Sequence, residues 1–401
     1  MTKLRLMLVP NYAAVVDGCQ VYLEVGLPLL LEPLAGNGIT VVVAAPVDLA
    51  NLAWSCGRPI NLQQVHFQQL GKVNSRYPFM RRGISYIFQI KNILRLIKNA
   101  DFCYVFFPGH TSLLSVLGCW LLGRPYGLYI RGQFIGVQEI FRKLMPWIFA
   151  KAKFLFVTGH ALAHQLSKFG YRATPVVPMS PLLLRNDWNS KAKDVNQEIK
   201  LLFVGQMIRE KGIFELLHAF HQLVLEGFNL FSLHMVGGGA EVDSFYTQAL
   251  RMGVADRIKI YGFCADSQAL EEIFRNADIF VLPTYCEGFP RVLWEAMAFR
   301  LPIVTTAVSQ IPTVMRDGEN VVFCKTQSSE SLVEALKKLI TNHALRDRLA
   351  ENGYKTWLQQ KEAFLADGSH GAQVVRELRR LGVIPGKESI IVTERDLTCA
   401  V

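Results

Sequence analysis

Short apolar runs separated by amphipathic stretches recur from one end of the chain to the other. In the first half the runs are LRLMLVP (residues 4–10), TVVVAAP (40–46), FCYVFFP (102–108), YGLYIRG (126–132), FLFVTG (154–159) and TPVVP (174–178). Unbroken apolar runs of this length are those of parallel strands buried on both faces. Between the first two lies a helix-length segment from Gln20 to about Leu34, disturbed by Pro28 and Pro33. The polar, unpatterned RNDWNSKAKDVNQE (185–198) reads as a linker. The alternation then restarts with KLLFVG, a helix from Gly212 to about Glu226, FSLHMVGGG, a helix from Glu241 to about Met252, and RIKIYGF. A helix ending near Asn276, IFVLPT, a helix carrying Glu295, PIVTT and a helix from Ser329 to about Thr341 follow. Strand–helix alternation in both halves predicts two doubly wound α/β units. The expected division is 1–185, a linker at 186–198, 199–350, and a tail at 351–401 that crosses back to the first unit.

Composition narrows this little: of 401 residues, 51% are hydrophobic and 19% charged, as in globular proteins. The longest apolar run, LLSVLGCWLL (113–122), stops before Arg124 and Pro125, too short for a membrane span. Lys3 and Arg5 before an apolar run imitate a signal peptide, but Pro10 and Asn11 interrupt it, so a first core strand is expected. Eight cysteines are scattered without a CxxC pair, which suits a reducing, cytoplasmic setting and neither a zinc site nor a disulfide framework. Charge changes the picture more. Residues 1–190 hold 19 basic and 7 acidic side chains, and residues 191–401 hold 24 and 26. A basic first half is expected to face something anionic: a membrane surface, an acidic or phosphate-bearing acceptor, or nucleic acid.

The chemistry concentrates in DIFVLPTYCEGFPRVLWE (278–295). A short strand runs into a Gly/Pro loop carrying Glu287, and Glu295 follows eight residues later on an amphipathic helix with Val292, Leu293, Ala296 and Met297 at helical spacing. Backbone N–H groups at the helix start can take phosphate oxygens, and the two carboxylates can accept from hydroxyls. With EAMAFRLPIVTT after it, the segment resembles the Glu-x7-Glu signature of the retaining, nucleotide-sugar-dependent glycosyltransferases of family 4, which have the GT-B fold. That resemblance is strong over 198–345 and holds for the first half by layout. It implies two Rossmann-like doubly wound domains facing a central cleft, the first binding the acceptor and the second the nucleotide-sugar donor.

In the resembled family a strand-Gly-Arg-…-Lys-Gly segment binds the donor diphosphate. Here it reads LLFVGQMIREKG, with Gly205 and Lys211 matching, Gln206 in place of the usual Arg, and Arg209 close by. The resemblance further implies that Glu287 reaches donor-sugar hydroxyls, that the amides of Gly288, Phe289 and Arg291 approach the diphosphate, and that Glu295 binds the ribose. The turns in MVGGGAE (235–241) and YGF, with Gly262, would lie beside the nucleotide. In the first half Gly18 matches one of a glycine pair, and Arg131 stands where a His is usual; His110 is a second cleft residue. Lys211, Glu287 and Arg131 are the expected catalytic residues. The chain has no Asp-x-Asp, so no metal and no other cofactor are expected, with the leaving diphosphate stabilised by fixed cations instead.

Residues 81–98 and 139–154 have the make-up of basic amphipathic helices, either core-facing or lying on an anionic bilayer. The leading reading is a hexosyl-type glycosyltransferase of polysaccharide or glycolipid assembly, cytoplasmic, with peripheral contact on the membrane face and a sugar or lipid-linked acceptor. An inactive GT-B scaffold and another GT-B enzyme, such as a sugar-nucleotide epimerase or a phosphorylase, remain open. No helix-turn-helix, zinc or ribonucleoprotein signature supports nucleic acid as a partner.

Overall fold

A computed structural model describes residues 4–11, 14–17, 20–22, 27–48, 63–73, 89–131, 139–176, 198–264 and 266–385. These fall into two units, one of residues up to 178 together with those from 365, the other of residues 179–364. The first unit contains β1 (Arg5–Val9), a β2–β3 hairpin (Val15–Asp17, Gln20–Tyr22), α1 (Pro28–Gly36), β4 (Thr40–Asp48), β5 (Val65–Val73), α2 (Ile90–Lys98) and β6 (Phe102–Phe107). It continues through α3 (His110–Leu121), β7 (Tyr126–Ile130), α4 (Glu139–Ala150), β8 (Leu155–Thr158), α5 (Gly159–Ser167) and β9 (Thr174–Val176). Seven strands form one parallel sheet in the order β5-β4-β1-β6-β7-β8-β9. The order reverses between β1 and β6, and such a reversal opens a crevice at the strands' carboxyl ends.

Successive residues of a strand face opposite sides of the sheet, which explains why these runs are apolar throughout. Leu6, Leu8, Phe102, Tyr104 and Phe106 enter one core; Met7, Val9, Cys103, Val105 and Phe107 enter the other. The segment from Gln20 to Leu34 is corrected by the structure: Gln20–Tyr22 is a strand, and the helix starts at Pro28. Proline lacks the N–H that a helix's first turn leaves unpaired, so it marks a start rather than a disturbance. The edge strand β5, VHFQQLGKV, escapes a reading for apolar runs because polar residues and Gly71 interrupt it. The linker at 186–197, Gly18, residues 81–88 and the chain's last residues lie outside the described part.

The second unit contains β10 (Ile199–Val204), α6 (Ile213–Leu225), β11 (Phe231–Val236), α7 (Val242–Arg251), β12 (Ile258–Gly262), α8 (Ser267–Arg275) and β13 (Ile279–Leu282). After these come α9 (Arg291–Ala298), β14 (Ile303–Thr306), α10 (Ile311–Val314), β15 (Val322–Cys324), α11 (Ser329–Thr341) and α12 (His343–Asp367). Its parallel sheet has the order β12-β11-β10-β13-β14-β15, reversing between β10 and β13. Among the described residues no helix is long and apolar enough to cross a membrane.

The last helix, α13 (His370–Arg380), packs in the first unit, with Val374, Val375 and Leu378 in the core that holds Leu6 and Leu8. The Ser369 hydroxyl caps it, accepting from the Ala372 N–H. His370, at its start, shares a 2.6 Å hydrogen bond with the Tyr104 hydroxyl and packs among Tyr129, Phe156 and Phe106.

Burial pushes the His370 imidazole down to about 3, and the positive charge of Arg131 works in the same direction. An unfolded histidine takes up its proton near pH 6.5. From 6.5 down to about 3, therefore, the unfolded chain binds a proton that the folded chain refuses, and stability falls with pH. Above 6.5 the contribution is complete. The expected loss is about 1.4 kcal/mol per pH unit. Urea unfolding of the wild type should lose about 2 kcal/mol more between pH 7 and pH 5 than His370→Gln does. Equal slopes would place the acid sensitivity elsewhere.

Candidate donor site in the second unit

Three loops leave the carboxyl ends of β10, β11 and β12 and are tied together by backbone. The Gly205 N–H donates to the Val236 carbonyl (2.9 Å), the Met207 N–H to the Gly238 carbonyl (2.9 Å), and the Gly237 N–H to the Gly262 carbonyl (2.8 Å). The approach is so close that a Cβ on Gly237 would strike the Gly205 carbonyl, and one on Gly239 the Met207 carbonyl. Gly237 also has φ 136°, in the left-handed region that favours glycine. The glycine run in MVGGGAE is thus a packing requirement of loop on loop. Gly205, Gln206 and Gly262 are all placed in this bundle, with Gln206 exposed.

A single 3-10 turn, Arg209–Lys211, leads from the first loop into α6 through Gly212. Gly212 has φ 71°, and a Cβ there would collide with the Pro283 carbonyl. That contact brings in the loop after β13, the strand across the topological reversal. The Tyr285 N–H donates to the Glu210 carbonyl at 2.8 Å and the Thr284 hydroxyl to the same carbonyl at 3.3 Å. The Thr306 hydroxyl, on β14, donates to the Thr284 carbonyl at 2.6 Å.

On this frame the Lys211 ammonium forms an ion pair with the Glu287 carboxylate, each side chain about one-fifth exposed (19% and 20%). Burial pulls the Lys211 ammonium down to about 8, with Cys286 beside it acting in the opposite sense. Tyr285 is held well above its ordinary range by burial and by its bond to Glu215. Arg209 lies over the Phe214 ring, 5.0 Å from its centroid, where its charge stays next to Lys211 in the chain.

Gly288 follows Glu287, and a Cβ there would meet nothing within 4 Å. Phe289 packs on Trp294 with centroids 4.6 Å apart. Pro290 is the N-cap of α9 and Arg291 its first residue, with no side chain capping the helix. Glu295, one turn on, is only 8% exposed, an unusual place for a carboxylate unless it is partnered. Among the described residues no cluster of three His, Cys, Asp or Glu side chains could hold a metal.

In the first unit Arg131 follows β7. Its N–H donates to the Phe107 carbonyl (3.0 Å) and its guanidinium lies 5.9 Å from the Phe106 centroid, next to His370. His110 opens α3, after the strand that borders the order reversal. His370 was not legible as a neighbour of Arg131: the two are far apart in sequence, and a lone His at a polar helix start gives no local signal.

Residues 185–356 match the glycosyl transferases group 1 family. The capsular polysaccharide biosynthesis glycosyltransferase CapM of Staphylococcus aureus is 22% identical over 299 residues, 69% of this chain and 78% of that protein. The chain spans about half the length of several other curated relatives it matches. Among solved structures, sucrose-phosphate synthase from Thermosynechococcus elongatus superposes with a TM-score of 0.72 over 95% of this chain and 100% of that one, at 18% identity. Anabaena HepE in complex with UDP-glucose gives 0.66 over 94% and 99%, at 14% identity.

The packing separates two kinds of glycine here. Gly212→Ala is expected to cost at least about 1–2 kcal/mol, from the left-handed backbone alone, with the Pro283 collision added. Gly288→Ala is expected to leave the thermal midpoint unchanged. Differential scanning calorimetry of the two variants checks the contrast.

Proposed function

We propose that this chain, whose residues 185–356 match the glycosyl transferases group 1 family and whose fold is that of GT-B glycosyltransferases, moves a sugar from a nucleoside-diphosphate sugar to an acceptor hydroxyl, with retention of configuration. The observation that carries the reading is the Lys211–Glu287 pair. It brings a half-buried cation and a carboxylate together on the two loops that flank the order reversal of the second sheet, where a doubly wound sheet takes its ligand.

The chemistry assigned to each group follows from its type. Lys211 neutralises the diphosphate as charge develops on the leaving group, and Arg209 adds a second positive charge to the same loop. Glu287 accepts from donor-sugar hydroxyls. The backbone N–H groups of Gly288, Phe289 and Arg291, at the uncapped start of α9, take phosphate oxygens; Pro290 has none to give. Glu295 accepts from the ribose hydroxyls. The open space at Gly288 is room for the diphosphate to reach the backbone. In the first unit Gly18 is assigned to the donor phosphate, and Arg131 to the reacting sugar, with His110 as a second candidate there. The reaction runs without a metal, since Lys211 and the loop amides supply the positive field. HepE solved with UDP-glucose supports a nucleotide-sugar donor. CapM, named for capsular polysaccharide biosynthesis, supports a saccharide acceptor, and a lipid-linked saccharide is the form we assign. The reaction is assigned to the cytoplasmic face of a membrane, with the basic first half in peripheral contact.

Isothermal calorimetry of nucleoside diphosphates and their sugars, without metal, is the test. One of them should bind the wild type. Glu295→Ala should weaken it by about 1–3 kcal/mol through loss of hydrogen bonds to a charged acceptor, and Lys211→Ala should lower kcat about 100- to 1,000-fold. No binding by the folded protein would sink the reading and favour an inactive scaffold.

Lys211 also sets a pH dependence. Its ammonium form, the one that attracts diphosphate, is complete well below pH 8 and is lost as pH rises through about 8. Diphosphate affinity should therefore fall as pH rises from 7.5 to 9, and binding at pH 8.5 should take up a proton. Calorimetry in buffers of different ionisation enthalpy measures that proton, which should be missing in Lys211→Met.

A further inference from the structure

The first unit carries an exposed aromatic surface that the transfer chemistry does not use. On α3, Leu117, Trp120 and Leu121 are 47%, 42% and 74% exposed, and Leu122 just beyond is 37% exposed. On α4, Trp147 is 64% exposed. The two indoles pack on each other across the helices, centroids 4.8 Å apart. The Lys151 ammonium lies 4.2 Å over the Trp120 ring. The Arg124 guanidinium reaches the Lys98 carbonyl at 2.6 Å, which joins the end of α2, with its exposed Arg95 and Lys98, to the same surface.

We propose that this surface seats the protein on an anionic lipid bilayer, with Trp120 and Trp147 entering the headgroup layer. Indoles, apolar in body and polar at one edge, partition to that layer. The charge around them chooses the partner: Lys151 lies on the Trp120 ring, and Arg124 bonds to the end of α2, where Arg95 and Lys98 are exposed. Anionic headgroups attract such a field, and the Lys151 ammonium, held over the Trp120 ring, adds its positive charge at the level of the indole. The depth is set by the same helices. None of those described is long and apolar enough to cross a membrane, and the attachment proposed here is interfacial, through the exposed indoles.

The topology adds a constraint. α3 leaves the carboxyl end of β6 and returns to the amino end of β7, and these two strands are parallel. Its last turn, with Trp120 and Leu121, is therefore at the amino ends of the strands. Attachment there leaves the carboxyl ends, with His110 and Arg131, uncovered. The inference gives the peripheral contact proposed above its surface and rests on that contact, not on the identity of the donor.

Flotation of the full chain with vesicles tests it. The wild type should bind vesicles of 30% phosphatidylglycerol in phosphatidylcholine and should not bind phosphatidylcholine alone. Trp120→Ala with Trp147→Ala should weaken binding at least tenfold, and Lys151→Glu should weaken it and make its remaining loss with salt shallower. Leu230→Ala, an equally exposed apolar residue of the second unit (70%), should bind as the wild type does. Equal binding by the double Trp variant, or no vesicle binding by the wild type, overturns the proposal. So does a dimer in sedimentation velocity that the double Trp variant abolishes, which would make the surface a contact between copies. Nucleotide binding by the same preparations without vesicles reports on the transfer reading separately.

Discussion

The Glu210 carbonyl accepts from both the Tyr285 N–H and the Thr284 hydroxyl, and the candidate donor site depends on that junction. It locks the loop after β10 to the loop after β13, two strands that are adjacent in the sheet and nearly eighty residues apart in the chain. Lys211 follows Glu210 directly on one loop, and Glu287 lies two residues beyond Tyr285 on the other. Without it, each would sit on a separate solvated loop, and the loss of side-chain entropy on pairing would offset much of the attraction. With the backbone fixed first, the pair forms at little further entropic cost, and partial burial makes the ammonium's charge responsive to what occupies the site.

Glycine does the corresponding work on the other side. The loops after β10, β11 and β12 lie backbone on backbone, and no side chain fits between Gly237 and the Gly205 carbonyl. Both the cation and the stretch of chain leading to it are therefore held by main-chain contacts, which tolerate wide change in the surrounding side chains. Gln206, in a position where the resembled family has Arg, sits exposed on this frame without altering it.

The two faces of the first sheet have separate uses. One is closed by α1 and α13, and its aromatic cluster around His370 borders Arg131 from beneath. The other is covered by α2 through α5, whose outer side carries the two exposed indoles. A buried neutral histidine on one face and a basic, aromatic exterior on the other both follow from strands that are apolar on each side and must be covered twice.

Most of the second unit could be read directly from the residues. Its strands are unbroken apolar runs, its helices have regular apolar spacing, and Lys211, Glu287 and Glu295 stand in a recognisable order. The exceptions, in both units, have physical causes. β15 is three residues long, β5 is polar enough at the sheet edge to hide, and the helix near Pro28 began at the proline because a first turn has no use for its missing N–H. The amino-acid order thus determined which segments are strands and helices, because burial on two faces and helical spacing are local properties of composition. Tertiary structure alone decided that Glu210 meets Tyr285, that His370 lies beside Arg131, and that Trp120 and Trp147 share one surface. Each of these joins groups from different strands or helices, and no local pattern records a contact whose partners are set by sheet order.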